Sequence, residues 1–280
     1  MNIRLMVKLT RTVRFCINPG SGPDSPIQPS PDGTNGFGGK PAMRGLGRYY
    51  ELTLIVRGEP DPITGYLINI KELDRIAREH LIPLIEACCH DAPTTEPAVL
   101  MPALLRQGRA ALPILTGLRW ALTPTYSVEG RTSDMSSAII RQQFDFAAAH
   151  RLHCPGLSDE ENRNTFGRCN NPSGHGHNYR VEAAFGVETQ AANPVTVGEI
   201  ERLVDEAVIN RFDHKHLNED TEEFASEGGV NPSVENIAEV FYRRLTAASE
   251  AAFNGKCKVH EVTVWETDRT SATYPAHIRA

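Results

Sequence analysis

Several features are missing from this 280-residue chain, and each absence removes a class of function. No apolar run approaches the roughly 20 residues that a membrane-crossing helix needs. There is no basic stripe, the formal net charge is −6 and the pI is about 5.9, which excludes a nucleic-acid surface as the expected role. Between Met1 and Arg14 there is positive charge but no continuous apolar stretch and no small-residue cleavage site, so no signal peptide is read there. The six cysteines (Cys16, Cys88, Cys89, Cys154, Cys169 and Cys257) are irregularly spaced, and two are adjacent, which does not describe a secreted disulfide framework. Reduced thiols and a cytoplasmic location are the expectation, so that any functional cysteine is catalytic or metal-linked.

What is present is a chain with 40% hydrophobic residues, of a length at which one core stops growing and a second domain forms. Gly20 to Lys40 is rich in Gly, Pro, Ser and Asp and reads as a long surface loop. Glu129 to Ser137 is polar and aperiodic and reads as a linker. Two compact stretches remain, and each is read in the order strand, loop, strand, helix, helix, strand.

In the second stretch, Phe144 to Leu152 reads as a strand with Phe144, Phe146, Ala148 and His150 on one face. His177 to Val187 reads as the next. Thr196 and Glu199 form a capping-box pattern ahead of a helical face of Ile200, Leu203, Val204, Ala207 and Val208. Ser233 is a candidate N-cap for a second face of Val234, Ile237, Ala238, Phe241 and Leu245. Lys258 to Trp265 closes as a strand. In the first stretch the matching elements are a strand over Tyr49 to Val56 and a helical face of Leu73, Ile76, Ala77, Leu81 and Leu84 after Asn69. A second helix over Ala98 to Leu115, kinked near Pro102 and Pro113, and a last strand over Arg119 to Tyr126 complete it. The halves align through Leu46-Gly47-Arg48-Tyr49-Tyr50 with His175-Gly176-His177-Asn178-Tyr179, Thr94-Thr95-Glu96 with Ser233-Val234-Glu235, and Trp120 with Trp265. An internal duplication is the expectation.

The chemistry-bearing residues lie in the second half. His175 and His177, at i and i+2, share one side of a strand, which suits two ligands of one metal. His150 offers a third imidazole, and His153 competes for that role from the opposite face. Three histidines leave an open zinc position, the pattern of a catalytic rather than a structural site. Cys169, six residues before His175, is either a fourth ligand or a general base. Asp213-His214 is either a proton relay or a helix end whose His and Lys favour the dipole. Glu266, ending the last strand, either accepts paired N–H donors from a planar heterocycle or is a solvated strand end.

The segment from Phe146 to Tyr179, FAAAHRLHCPGLSDEENRNTFGRCNNPSGHGHNY, resembles the 6-pyruvoyl-tetrahydropterin synthase family, and FDHKHLN, PSVENIA and VWETD follow in the family's order. The resemblance implies an α+β protein of two tandem tunnelling-fold (T-fold) domains, each a four-stranded antiparallel sheet with two helices on one face. Residues 1–130 would form a degenerate, metal-free domain and 140–280 a zinc-binding catalytic one. It implies zinc held by His150, His175 and His177, Cys169 as the catalytic cysteine, Asp213 and His214 as the Asp-His pair, and Glu266 with Ser233 and Val234 at the pterin. The implied reaction converts 7,8-dihydroneopterin triphosphate to 6-pyruvoyl-tetrahydropterin with loss of triphosphate. A sister activity, 6-carboxytetrahydropterin synthase of the queuosine pathway, uses the same ligands, but there the interval resembles C-x3-H-G-H; here it is C-x5-H-G-H. A non-catalytic zinc-stabilised assembly protein, or a pterin-binding module without turnover, are the competing classes. Family members bind substrate between subunits, so a homo-oligomer is implied, as a trimer or hexamer of chains, with a small pterin and neither nucleic acid nor membrane as partner.

The first half shares Gly58-Glu59-Pro60-Asp61-Pro62-Ile63-Thr64-Gly65 with the family but departs at the functional positions. Leu46 and Arg48 stand where the H-G-H histidines would be, Lys40 sits near the cysteine position, Ile85-Glu86 replace Asp-His and Ala121 replaces the glutamate. No histidine precedes His80, and an arginine cannot ligate zinc. The second half lacks the family's D-P-x-T-G turn and reads Thr189-Gln190-Ala191-Ala192-Asn193-Pro194, a change expected to alter a loop and not the chemistry.

Overall fold

The computed structural model describes residues 6–20 and 35–276. Residues 21–34 of the expected Gly20–Lys40 loop, and the first five residues of the N-terminal stretch, lie outside the described residues. The chain divides into two compact units, one comprising the chain up to Ile140 with Glu188–Pro194, the other Arg141–Val187 with Val195 onward. Both are α+β with antiparallel sheet.

In the first unit, β1 (Val7–Ile17) pairs antiparallel with β2 (Arg48–Gly58), from Val7 opposite Gly58 to Ile17 opposite Arg48. The alternation of β2 sends Tyr50, Leu52, Leu54 and Val56 into the core. The Asp61-Pro62-Ile63-Thr64-Gly65 turn owes its sequence to one carboxylate. Asp61 Oδ1 accepts from the N–H of Ile63 (3.0 Å) and of Thr64 (2.8 Å), and Gly65 takes φ +72°. Asn69 then caps α1 (Ile70–Ile76), accepting from Lys71 N–H. A π-helical turn (Ala77–Leu81) separates α1 from α2 (Ile82–Asp91). A π turn holds one residue more than an α turn, so it rotates everything after it by about 100°. That is why Leu73, Ile76, Ala77 and Leu81 are buried as expected, while Leu84 is half-exposed and Ile82 and Ile85 take the core positions.

Helix α3 (Pro97–Ala111) follows, starting three residues after Thr94 and keeping Pro102 inside its span. The expected strand over Arg119–Tyr126 resolves into two. These are β3 (Leu115–Ala121) and β4 (Tyr126–Arg131), joined by a turn in which Leu122 N–H donates to Tyr126 O at 3.0 Å. The expected linker over Glu129–Ser137 is also corrected, because β4 ends at Arg131 and β5 (Asp134–His150) begins three residues later. Polar composition suggested a loop, but the ladder satisfies the backbone there, with Gly117 opposite Arg131 and Arg119 opposite Glu129. Small residues are required on the covered face: a Cβ on Gly130 would lie 2.4 Å from Met101 Cγ of α3. The Thr189–Pro194 turn is held by Thr189, which donates from N–H to Ser136 O and from Oγ1 to Met135 O, both at 3.0 Å.

In the second unit, the end of β5 pairs with β6 (His175–Glu188), which pairs with β8 (Cys257–Thr267), and β8 with β9 (Thr270–Tyr274). Between β5 and β6 lie α4 (Asp159–Phe166) and a 3₁₀ turn (Gly167–Asn170). Between β6 and β8 lie α5 (Val197–Val204), a π turn (Asp205–Ile209) and α6 (Asn210–Phe212). They are followed by β7 (Lys215–His216), α7 (Leu217–Asp220) and α8 (Val234–Phe253). The Thr196–Glu199 capping box forms as read, and Ser233 caps α8 by accepting from Asn236 N–H. The expected apolar faces of both helices are buried. Phe146 stacks on Tyr179 at 4.9 Å, and Phe241 meets Phe146 at 5.4 Å and Phe212 at 4.9 Å. This aromatic layer lies directly beneath the ends of β5 and β6, and truncating one of its rings would cost about 3–5 kcal/mol. Among the described residues no helix is long and apolar enough to cross a membrane.

Candidate metal centre

Two strand periodicities converge on one point. Along β5 the buried set is Phe146, Ala148 and His150, and along β6 His175, His177 and Tyr179 share a face. His150 is fully buried, and its Nδ1 lies 2.7 Å from Pro232 O, so Nδ1–H donates to that carbonyl and Nε2 is left with its lone pair. That Nε2 is 3.3 Å from His175 Nε2, and one ring nitrogen from each of His150, His175 and His177 lies within 4.8 Å of the others. His175 Nδ1 and His177 Nε2 are buried without a hydrogen-bond partner. Glu266 Oε1 stands 3.6 Å from His150 Nε2 and 3.7 Å from His177 Nε2.

Burial favours the neutral form of two of these rings. Burial pushes His150 down to about 4, against the opposing effect of the Pro232 bond, and burial likewise lowers His177. Neutral imidazole is the ligating form. The three converging rings, one oriented by a backbone carbonyl and two carrying unpartnered nitrogens, fit a divalent zinc ion. His153, the competing third imidazole, is turned elsewhere: its Nδ1 accepts from Asn170 Nδ2 at 3.1 Å and from Arg151 Nη2 at 3.3 Å.

Cys169 lies half-buried in the 3₁₀ turn. Burial, and then the negative charge of Glu266, push its thiol up, so the surroundings supplied by the protein alone favour the protonated form. Asp213 follows α6. Its Oδ1 accepts from Ala147 N–H at 2.8 Å and its Oδ2 from His214 Nδ1 at 2.8 Å, while His214 N–H donates to Ala147 O at 2.6 Å. The Asp-His contact is therefore formed, anchored three residues before His150, with the His214 ring exposed and its backbone at φ +56°. Ser233 serves as the cap of α8 and Val234 turns its side chain into the core.

Three contributors were not singled out from sequence. Tyr179 Oη lies 3.3 Å from His150 Nδ1, and its place two residues after His177 on the same strand face was a usable signal. The Pro232 carbonyl carries no side-chain signal at all. His216, brought beside His150 by the β7–β5 pairing of His216 with Ala149, has both ring nitrogens buried and unpartnered. In the first unit, by contrast, Leu46 is 93% exposed and lies outside β2, which begins at Arg48.

Residues 139–277, which carry the whole of this centre, match the family model described as 6-pyruvoyl tetrahydropterin synthase. A curated 6-pyruvoyl tetrahydrobiopterin synthase of Poecilia reticulata is 34% identical over 131 residues, covering 46% of this chain and 84% of the relative. The human protein of that name is 34% identical over 139 residues, covering 49% of this chain and 90% of the relative. The chain belongs to the 6-pyruvoyl tetrahydropterin synthase family. A solved 6-pyruvoyl tetrahydropterin synthase structure from Caenorhabditis elegans aligns at a TM-score of 0.44 and 29% identity, over 49% of this chain and 94% of that one. Within the synthase-like region, His150, His175, His177, Cys169, Asp213, His214 and Glu266 all fall inside the matched span.

Proposed function

We propose that the chain is a zinc-dependent 6-pyruvoyl-tetrahydropterin synthase, a lyase that converts 7,8-dihydroneopterin triphosphate to 6-pyruvoyl-tetrahydropterin with loss of triphosphate. The observation that carries this reading is the convergence of three imidazoles beside Glu266 and Cys169 within the family-matched region. His150, His175 and His177 would hold the zinc, which when bound supplies a Lewis acid for side-chain hydroxyl oxygens and acidifies the neighbouring C–H and O–H protons. Glu266 accepts N–H donors of the pterin ring and fixes its orientation, with Ser233 and Val234 at the same end of the substrate. Cys169 removes one side-chain proton as general base. His214 moves another, and Asp213 holds its Nδ1–H so that Nε2 is the exchanging atom. The five-residue interval between Cys169 and His175 favours this product over the carboxy product.

In the same reading both units are tunnelling-fold domains related by duplication, with boundaries near residues 130 and 140. The first is a copy without metal ligands, and the chains assemble as a trimer or hexamer, which light scattering on a sizing column would measure. The test of function is incubation with dihydroneopterin triphosphate and product identification by mass spectrometry, comparing the wild type with Cys169→Ala. The expected result is pyruvoyl product from the wild type and loss of turnover in the variant with zinc still bound. Unchanged turnover in Cys169→Ala refutes the base role, and a carboxy product refutes the assigned reaction.

A further inference from the structure

A catalytic cysteine has to be held still, and the turn that carries Cys169 cannot do this alone. The 3₁₀ turn is four residues long, begins at Gly167 with φ +53° and runs into Asn171-Pro172. An isolated turn of this kind has little stability of its own. Its anchorage comes from the segment that follows His150. Leu152 N–H donates to Cys169 O at 2.8 Å, and Asn170 Nδ2 donates to Leu152 O at 2.7 Å, so both backbone polar groups of Leu152 are used by consecutive residues of the turn. Asn170 Nδ2 also meets His153 Nδ1 at 3.1 Å, and Asn170 O accepts from Arg151 Nε at 3.3 Å.

The segment it grips is itself fixed. Arg151 is held through both N–H and O by Asn218, at 2.7 and 3.1 Å, and His153 N–H donates to Asn231 Oδ1 at 3.3 Å. Arg151 directly follows the buried ligand candidate His150. Asn170 is 9% exposed, so water cannot readily replace its amide. None of its contacts involves the three imidazoles.

We infer that Asn170 is a positioning residue that sets the location of Cys169 relative to the metal centre by clamping its turn to Leu152. The inference rests on Cys169 being the catalytic base. The change that isolates it is Asn170→Asp, nearly the same shape but with an acceptor oxygen facing Leu152 O; Asn170→Ser is the companion variant. Measurements are made on zinc-loaded protein: zinc content, kcat and KM, and the iodoacetamide alkylation rate of Cys169 followed by peptide mass spectrometry. Half-exposed Cys88 in the other unit serves as the internal reference.

With the clamp lost, kcat falls about 10- to 100-fold, as expected when a reacting group moves by the order of an ångström. KM changes by less than about threefold, zinc remains stoichiometric, and Cys169 alkylation rises several-fold while that of Cys88 does not. Wild-type kcat and alkylation in both variants overturn the inference. So does a lower kcat with Cys169 alkylation unchanged, and so does failure of both variants to give folded, zinc-loaded protein, which would make Asn170 a folding residue. If Cys169→Ala retains full turnover, the base reading fails separately, and the alkylation ratio still decides whether Asn170 holds the turn.

Discussion

If His150, His175 and His177 hold zinc as proposed, removing it should destabilise this protein by an amount that can be worked out. The structure assembles three imidazoles with one nitrogen each within 4.8 Å, two of them only 3.3 Å apart at His150 Nε2 and His175 Nε2. Two lone pairs that close repel unless a proton or a cation lies between them. His177 Nε2 is buried without a partner, a state that costs about 1–3 kcal/mol for a polar group. A cation bound only by the folded form removes these penalties and stabilises by mass action, about 2.7 kcal/mol when free zinc is 100 times Kd. At about 2–4 °C per kcal/mol for a chain of this size, chelation should lower Tm by about 5–10 °C. Differential scanning calorimetry with excess zinc and then with EDTA measures this. His175→Ala should show little zinc-dependent shift, and the wild-type shift should shrink on acidification as protons compete for the imidazoles. A chelator-insensitive Tm in the wild type, or a full zinc shift in His175→Ala, would refute the assignment of these rings as one metal centre.

Three other perturbations test the surrounding structure. Gly174→Ala should cost about 1–3 kcal/mol in denaturant unfolding and weaken zinc retention, because φ is +67° and a Cβ would lie 2.5 Å from His216 Nε2 and 3.0 Å from His150 O. Arg141→Met should destabilise by about 3–5 kcal/mol, because it leaves the carboxylates of Glu182 and Glu261, each 13% exposed, without the guanidinium that lies 3.1 and 2.8 Å from them. Replacing both glutamates by Gln in that background should recover most of the loss, as measured by urea titration. The Ala147 N–H and then His214 hold the Asp213 carboxyl below its ordinary value, so its contribution to stability is full above about pH 3.9, the unfolded value, and is lost as pH falls through the lower folded value. The stability difference between wild type and Asp213→Asn should therefore be constant at neutral pH and close on acidification below about pH 4; a difference independent of pH would contradict this linkage.

Local periodicity made much of the centre legible in the sequence. Period-two alternation alone puts His150 on the buried face of β5 with Phe146 and Ala148, and puts His175 and His177 on one side of β6. The Thr196–Glu199 box and the Ser233 cap were readable because a helix start is written within four residues. Where the signal was not local the reading failed or stayed open. The Glu129–Ser137 segment looked like a linker because polar and small residues fit a loop or a covered strand equally well, and only pairing partners distinguish them. The π turn at Ala77–Leu81 moved Leu84 off the core face, because one extra residue in a turn leaves no compositional mark.

Sequence alone thus determined which side chains of each strand share a face and which residue types can ligate, because those follow from backbone geometry over a few residues. Tertiary structure decided which of them meet. The carbonyl that orients His150 comes from Pro232, 82 residues away, and the amide that fixes Asp213 from Ala147, 66 residues away. The choice of His150 over His153, and the grip of Leu152 on the Cys169 turn, likewise depend on backbone groups that every residue possesses. Identity cannot announce such groups; only the folded path brings one of them to the right place.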